Sequence, residues 1–229
     1  MGTDRASLRE QGIFRALSSF SGCEFAIIGG YAVNAYVLPR FSVDCDLVAR
    51  EGEGKRIAAL LVEQGYLKKG KAHESYHNFE RYELEVAPGF FASFDLLLDS
   101  VHDRQSGATF SADWVIENSA LKTLAGKTIP DTLALHMISP EALFVMKFAC
   151  ARASDIRDLF MLCTEVKDWG FARRQISSRI ALDGQHAKIM EKINSRQFKN
   201  NLEGVFGYVE PRAFAKRLAA MEALGGNGK

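Results

Sequence analysis

The pattern of apolar residues changes at Ser139, and this change most constrains the fold. Before Ser139, short apolar segments bounded by Gly or Pro lie between helical segments, whereas after it the helical period continues almost to the end of the chain. Ser139 and Pro140 form a typical helix start, because a serine hydroxyl can cap the first turn and proline fits its first position. We therefore predict two domains, an α+β domain over residues 1–139 and a helical domain over residues 140–229.

Periodicity predicts the individual elements. Tyr82, Leu84 and Val86 alternate with charged residues, which indicates a half-exposed strand. The other predicted strands are 24–28, 43–49 and 90–98, and the predicted helices are 5–20, 31–38, 55–64, 140–151, 154–166, 171–182, 185–194 and 211–223. We expect residues 99–113 to form a polar connector, followed by short strands and turns up to Ser139.

Overall charge gives little indication of function. The net charge of +1 does not favour nucleic acid or membranes as partners. The longest apolar segment, residues 25–38, is shorter than the roughly 20 residues of a membrane span, and the first ten residues lack the plan of a secretory signal. We therefore expect a cytoplasmic protein with no membrane partner. The helical domain carries a basic excess, which includes Arg173, Arg174, Arg179, Lys188, Lys192, Arg196 and Lys199.

Two aspartates on one predicted strand are the strongest indication of chemistry. Asp44 and Asp46 are two residues apart, so both carboxylates leave the same face of the strand. They repel each other unless a cation joins them, and Mg²⁺ binds such carboxylates together with substrate phosphates. Asp95 adds a third carboxylate from another apolar strand, where an unused charge is costly. The alternative is a strand end whose aspartates simply face water.

Gly29 and Gly30 stand between a predicted strand and a predicted helix. Without side chains they would let a phosphate approach the backbone N–H groups of the turn. A phosphate seat and a metal pair would then lie close together in the sequence. The alternative is a tight strand-to-helix turn with no further role.

These residues together resemble the polymerase-beta-like nucleotidyltransferase superfamily. The likeness is nearest to the branch of abortive-infection toxin and lincosamide nucleotidyltransferases, and covers roughly residues 24–165. The matching positions in the first domain are Gly29, Gly30, Ala32, Arg40, Ser42, Asp44 and Asp46. The resemblance implies a nucleotidyltransferase-type mixed sheet flanked by helices, followed by a helical C-terminal lobe, with the site in the cleft between them.

The helical domain supplies a second match to the same branch. Lys147, Arg152, Asp155 and Asp158 stand in the order of the branch's Lys, Arg and Asp-x-x-Asp motif. One departure is Ser154, where the branch has a basic residue, and Arg157 could take its place.

The resemblance implies transfer of a nucleoside monophosphate from a nucleoside triphosphate (NTP) to an acceptor hydroxyl, with release of pyrophosphate. It implies that Asp44, Asp46 and Asp95 are catalytic and hold two Mg²⁺ ions. The nucleotide-binding residues implied are Gly29, Gly30, Arg40, Ser42, Lys147, Arg152 and Asp158. Lys147 and Arg152 could instead be solvated helix-face charges, with Arg152 pairing only with Asp155 along one helical turn.

Three functions remain open at this stage. RNA such as tRNA is the favoured acceptor, because the basic helical face could follow a phosphate backbone, although such faces are more often only solvated. The same chemistry could act on a small molecule such as an antibiotic, or the fold could bind nucleotides without turnover. A toxin role would also predict an antitoxin partner.

A zinc-protease motif competes with this interpretation. The segment from His73 to His77 matches H-E-x-x-H. It lies in a polar turn rather than on the apolar helix which that mechanism requires. We therefore do not expect a protease.

Overall fold

The chain forms two compact units. The computed structural model describes residues 4–69 and 78–225. The first unit contains the chain up to Ala35, Pro39–Val101 and Phe110–Ile138. The second contains Tyr36–Leu38, His102–Thr109 and the chain from Ser139 onward.

The elements up to Ile138 combine strands and helices. In chain order they are α1 (Arg5–Ser19), β1 (Ala26–Ile28), α2 (Gly29–Asn34), β2 (Asp44–Ala49), α3 (Glu51–Glu63), β3 (Leu67–Lys69), β4 (Phe79–Ala87), β5 (Phe90–Leu98), β6 (Ser100–His102), β7 (Thr109–Ser111), α4 (Ala112–Glu117), β8 (Ser119–Ala125) and β9 (Thr132–Ile138). Seven of these strands form one mixed sheet in the order β3-β4-β5-β2-β1-β9-β8. The predicted α+β class with a mixed sheet is confirmed.

The centre of the sheet joins strands that are distant in sequence. β2 runs antiparallel to β1 and parallel to β5, whereas β4 and β5 form an antiparallel hairpin. One face of β2 and β5 is fully buried and carries Cys45, Leu47, Phe94 and Leu96. Phe94 packs edge-on against Phe20, with ring centroids 5.8 Å apart. Since side chains alternate between the faces of a strand, the residues between these apolar positions are directed to the opposite face.

The second unit is mainly helical. Its helices are α5 (Pro140–Cys150), α6 (Ala153–Leu162), α7 (Trp169–Ser177), α8 (Leu182–Ile193), α9 (Phe198–Phe206) and α10 (Pro211–Gly225). Ser139 caps α5, since its hydroxyl accepts a hydrogen bond from the N–H of Ala142 at 3.3 Å, as predicted. Phe160 of α6 packs against Phe198 and Phe214, with ring centroids 5.2 and 4.7 Å apart. No helix of the described segments has both the length and the apolar composition to cross a bilayer.

Several element boundaries differ from the predictions. α2 begins at the glycine pair and ends at Asn34 rather than at Leu38, because the Asn34 side chain bonds to the backbone of the following loop. α9 was not predicted, although Phe198, Leu202 and Phe206 recur at helical spacing. The predicted connector over residues 99–113 contains β6 and β7.

Candidate active site in the first unit

The glycine pair is packed too closely for any side chain. Gly29 has a φ of +64°, and a Cβ atom built on it would lie 1.8 Å from Oδ2 of Asp46. A Cβ atom on Gly30 would lie 2.2 Å from Oγ of Ser42 and 3.2 Å from a guanidinium nitrogen of Arg40. A Cβ atom at either position would therefore displace the side chain of Asp46 or Ser42, and the positive φ of Gly29 disfavours any side chain there as well. The turn therefore brings Arg40, Ser42 and Asp46 directly against its backbone.

The three predicted catalytic aspartates share one face of two neighbouring strands. Asp44 and Asp46 alternate with the buried Cys45 along β2. In the parallel pairing of β2 with β5, Asp46 lies opposite Asp95 and Asp44 lies opposite Ser93. The next strand continues the row, because Arg81 of β4 lies opposite Asp95. A row of charged residues therefore crosses β2, β5 and β4.

Arg81 bridges the carboxylates of this row. One of its terminal nitrogens donates to Oδ1 of Asp44 at 2.7 Å, and the other donates to Oδ1 of Asp95 at 3.2 Å. Its Nε donates to Oε1 of Glu83 at 2.9 Å. A single guanidinium thus contacts three carboxylates, so the cluster keeps an excess of negative charge when all three are ionised.

The excess negative charge and burial perturb the titration of the cluster. Burial, together with the charges of Asp44 and Glu83, outweighs the attraction of Arg81 and raises the pKa of Asp95 to about 6. Burial alone would lower the pKa of Arg81, but the hydrogen bond with Glu83 and the charges of Asp95 and Asp44 raise it. Asp95 therefore exchanges its proton near neutral pH while Arg81 stays charged.

A side-chain clamp holds the loop that carries Arg40 and Ser42. The Asn34 amide donates to the carbonyl oxygen of Arg40 at 2.8 Å, and its oxygen accepts from the N–H of Arg40 at 3.0 Å. The Ser42 hydroxyl donates to the carbonyl oxygen of Asp44 at 3.2 Å, which connects the loop to β2. Asn34 therefore fixes the path of the loop between α2 and the two aspartates.

Lys147 is buried beside two aspartates, so the alternative of a solvated helix-face charge does not hold. It is 7% exposed, and its Nζ lies 3.0 Å from Oδ1 of Asp155 and 2.7 Å from Oδ2 of Asp158. Burial lowers the pKa of Lys147, but the two carboxylates outweigh burial and raise it. In this structure Lys147 is thus a buried cation between α5 and α6, not a solvated helix-face charge.

Arg152 holds a buried aspartate that the sequence analysis missed. Its guanidinium donates to Oδ1 of Asp103 at 2.8 Å, and Asp103 is only 3% exposed. Asp103 also accepts from the N–H and the hydroxyl of Ser106, at 2.8 Å each. Burial would raise the pKa of Asp103, but these hydrogen bonds, one from Cys150 and the charge of Arg152 lower it. The backbone N–H of Arg152 donates to Oδ2 of Asp155 at 3.3 Å, in addition to the bond that Asp155 accepts from Lys147.

The predicted site residues thus form two groups. The first unit brings together Gly29, Gly30, Arg40, Ser42, Asp44, Asp46 and Asp95. The second unit holds Lys147, Arg152 and Asp158. The H-E-x-x-H motif over residues 73–77 lies outside the described residues.

In the first unit, Arg81 and Asn34 are site residues that sequence reasoning missed. The alternation along β4 placed Arg81 and Glu83 on one face but did not indicate that this face also holds Asp95. That conclusion needs the register of the hairpin. Asn34 is a polar residue inside an otherwise apolar helical segment, and this polar amide is the signal that could have indicated a specific hydrogen bond.

The donor set fits a divalent cation by its chemistry. Three carboxylates on one face are the oxygen ligands that Mg²⁺ prefers. Within residues 4–69 and 78–225, no three His, Cys, Asp or Glu side chains already converge as a metal-ion site. At Asp44 and Asp95 the guanidinium of Arg81 lies between the two carboxylates and bridges them.

Comparison with known proteins identifies the fold. Neither a family model nor a curated protein matches the sequence. Among solved structures, JHP933 from Helicobacter pylori has 13% identity and a TM-score of 0.57, with coverage of 98% of this chain and 94% of that chain. A candidate nucleotidyltransferase from H. pylori has 12% identity and a TM-score of 0.54, covering 98% and 96%. The antibiotic-resistance factor ANT(2'')-Ia has 15% identity and a TM-score of 0.51, covering 83% and 97%. The predicted nucleotidyltransferase-type fold is therefore confirmed.

Proposed function

We propose that the chain is a metal-dependent nucleotidyltransferase that moves a nucleoside monophosphate from an NTP to an acceptor hydroxyl. The acceptor oxygen forms a bond to the α-phosphorus, the bond from that phosphorus to the bridging oxygen breaks, and pyrophosphate leaves with the bonding electrons. The main support is the position of Asp44, Asp46 and Asp95 on one sheet face, with Asp46 in contact with the Gly29 turn.

The three aspartates would bind the metal and accept the proton. Asp44 and Asp46 would hold two Mg²⁺ ions, with Asp95 completing the ligand set. Such ions neutralise charge on the triphosphate and stabilise the attacking and leaving oxygens. Asp95 would also take the proton of the acceptor hydroxyl. In the metal-free protein the pKa of Asp95 is raised to about 6, and bound Mg²⁺ would lower it and favour the ionised carboxylate that accepts a proton.

The glycine turn and the loop beside it would seat the triphosphate. Gly29 and Gly30 have no side chains of their own, and the side chains of Asp46, Ser42 and Arg40 lie against their backbone. Arg40 would neutralise phosphate charge and Ser42 would donate a hydrogen bond. The Asn34 clamp supports this proposal, because it holds the Arg40 backbone in place without a ligand.

The roles of Lys147, Arg152 and Asp158 stay predictions. The resemblance implies that Lys147 and Arg152 contact nucleotide and that Asp158 positions substrate. Arg152 is 61% exposed at its side chain and could reach a ligand while Asp103 orients it. Lys147 would have to leave two carboxylates to contact phosphate, so we propose that it stabilises α5 and α6 and acts on nucleotide only through Asp158.

We propose RNA, with tRNA as the first candidate, as the acceptor. The support is the excess of basic residues in the helical unit, of which Arg174, Lys188, Lys192 and Arg196 are exposed. Phosphate contacts of this kind give sequence-independent affinity that falls with salt. On this proposal the protein is a cytoplasmic toxin with an antitoxin partner.

A small-molecule acceptor is the second candidate. It is supported by the likeness of the fold to an antibiotic-resistance factor. A nucleotide-binding module without turnover is the third, and the three aspartates on one face argue against it.

The decisive experiment incubates the purified protein with each α-labelled NTP, Mg²⁺ and total tRNA. Asp44→Asn is the test variant, and Asp113→Asn, a surface aspartate paired with Arg50, is the matched control. Transfer of label to tRNA by the wild type and Asp113→Asn, but not by Asp44→Asn, is the expected result. Transfer only to an added antibiotic, such as a lincosamide, would support the second candidate. Mg²⁺-dependent NTP binding without transfer to any acceptor would support the third.

A further inference from the structure

Arg81 lies where a cation bound to the aspartates would have to lie. Its terminal nitrogens contact Asp44 and Asp95, two of the three carboxylates that the proposed function assigns to metal. β4 supplies Arg81 from the opposite side of β5 to β2, so the side chain reaches across β5 to Asp44. The guanidinium and a metal ion therefore cannot both occupy the space between these carboxylates.

The negative charge of the row exceeds the positive charge of Arg81, so a metal ion could replace the Arg81 guanidinium. Asp44, Asp95 and Glu83 carry three negative charges when ionised, against one positive charge on Arg81. A divalent ion would satisfy the pair Asp44 and Asp95 better than one shared guanidinium does. Glu83 holds the Nε of Arg81 and could keep the displaced side chain beside the site. The Arg81 side chain is 32% exposed, so solvent can reach it.

We propose that Arg81 is an internal counter-ion that competes with the metal ion for Asp44 and Asp95. Without ligand it holds the two carboxylates together and weakens the binding of free metal. A metal–nucleotide complex displaces the guanidinium, whose freed N–H groups then face the incoming phosphates. This inference rests on the proposed function, because it assumes that the aspartates are the metal site. It makes the site selective for metal that arrives with a triphosphate.

Binding of Mn²⁺ alone to the full chain tests the competition. In Arg81→Gln the carboxylates lose their competitor, so we expect Mn²⁺ to bind about tenfold more tightly than to the wild type. Arg50→Gln is the matched control, because Arg50 also bridges two carboxylates, those of Glu24 and Asp113. Its Mn²⁺ affinity should equal that of the wild type. Asp44→Asn should lose the binding in either background.

A second measurement uses the wild type and does not depend on the folding of a variant. The Nε–H signal of Arg81 in a nitrogen-15 spectrum, identified by its absence in Arg81→Gln or Arg81→Lys, should shift when Mg²⁺ and a non-hydrolysable NTP are added. The Nε–H signal of Arg50 should not shift.

The outcomes distinguish the two proposals. The role of Arg81 is overturned, and the proposed function is not, if Mn²⁺ binding depends on Asp44 but is unchanged in Arg81→Gln. The same conclusion follows if the Arg81 signal does not shift when the metal–nucleotide complex is added. Mn²⁺ binding that is unaffected by Asp44→Asn, or absent from the wild type and Arg81→Gln even with NTP, overturns both.

Discussion

The partly buried carboxyl group of Asp95 should make the stability of the metal-free protein fall as pH rises. Its pKa is about 6 in the folded protein, against an ordinary value of 3.8. The folded state therefore binds this proton more tightly than the unfolded chain does. The stabilising contribution is complete below about pH 4 and is lost as pH rises through about 6. The Asp95 side chain is only 14% exposed, so solvent screens the effect little.

The magnitude follows from the two pKa values. A difference of about two units, at 1.36 kcal/mol each, corresponds to about 3 kcal/mol in the free energy of unfolding. Asp95→Asn keeps the shape of the protonated carboxyl group but cannot ionise. Its free energy of unfolding should therefore not fall between pH 4 and pH 7 in the way that the wild type's does. At pH 7 the variant should be up to about 3 kcal/mol more stable than the wild type, although it is inactive.

Urea denaturation between pH 4 and pH 7, in the presence of a chelator, measures this effect. The informative quantity is the difference in unfolding free energy between the wild type and Asp95→Asn at each pH, because groups common to both cancel. Asp113→Asn should run parallel to the wild type, since its ion pair with Arg50 is exposed. If the curves of Asp95→Asn and the wild type are parallel from pH 4 to pH 7, the reasoning about Asp95 is refuted.

Two further predictions concern stability and are also measured by urea denaturation. Gly29→Ala should lower the free energy of unfolding by at least about 1–2 kcal/mol, because the φ of +64° at Gly29 disfavours any side chain. Gly52→Ala should be neutral or stabilising, because the added Cβ meets no neighbouring residue within 4 Å. Equal effects of the two variants would contradict the close packing of the turn. Lys147→Met removes the cation that two buried carboxylates share and should cost about 3–5 kcal/mol. Lys199→Met, which removes an ion pair at 3.8 Å on the surface, should cost less than about 1 kcal/mol, and a similar cost for both lysines would contradict the buried role of Lys147.

Local patterns predicted the parts of the site that lie within one element. The two-residue spacing of Asp44 and Asp46 was enough to place them on one face, because a strand alternates regardless of its neighbours. The start of α5 was equally local, since Ser139 and Pro140 supply the cap and the first turn themselves. The division into two domains at residue 139 stays a prediction.

The rest depended on how strands pair and helices pack. Arg81 joins the aspartates only because β4 is in register with β5 and β5 is parallel to β2, and no single strand encodes that register. Lys147 is buried because α6 brings two acids against α5, whereas the α5 sequence shows only a lysine in an apolar helix. The roles of Arg81 and Lys147 are both ion pairs between different elements, which the sequence of one element cannot show.

Cys45 lies between the two aspartates on β2, and its reactivity can report when this strand separates from its neighbours. Cys45 is completely buried, and burial with the neighbouring acids raises the pKa of its thiol well above the ordinary value. A thiol reagent can therefore modify Cys45 only when β2 separates from its neighbours and the side chain meets water. The rate of modification therefore measures how often β2 opens locally. A ligand that binds the closed site and stabilises it should lower this rate.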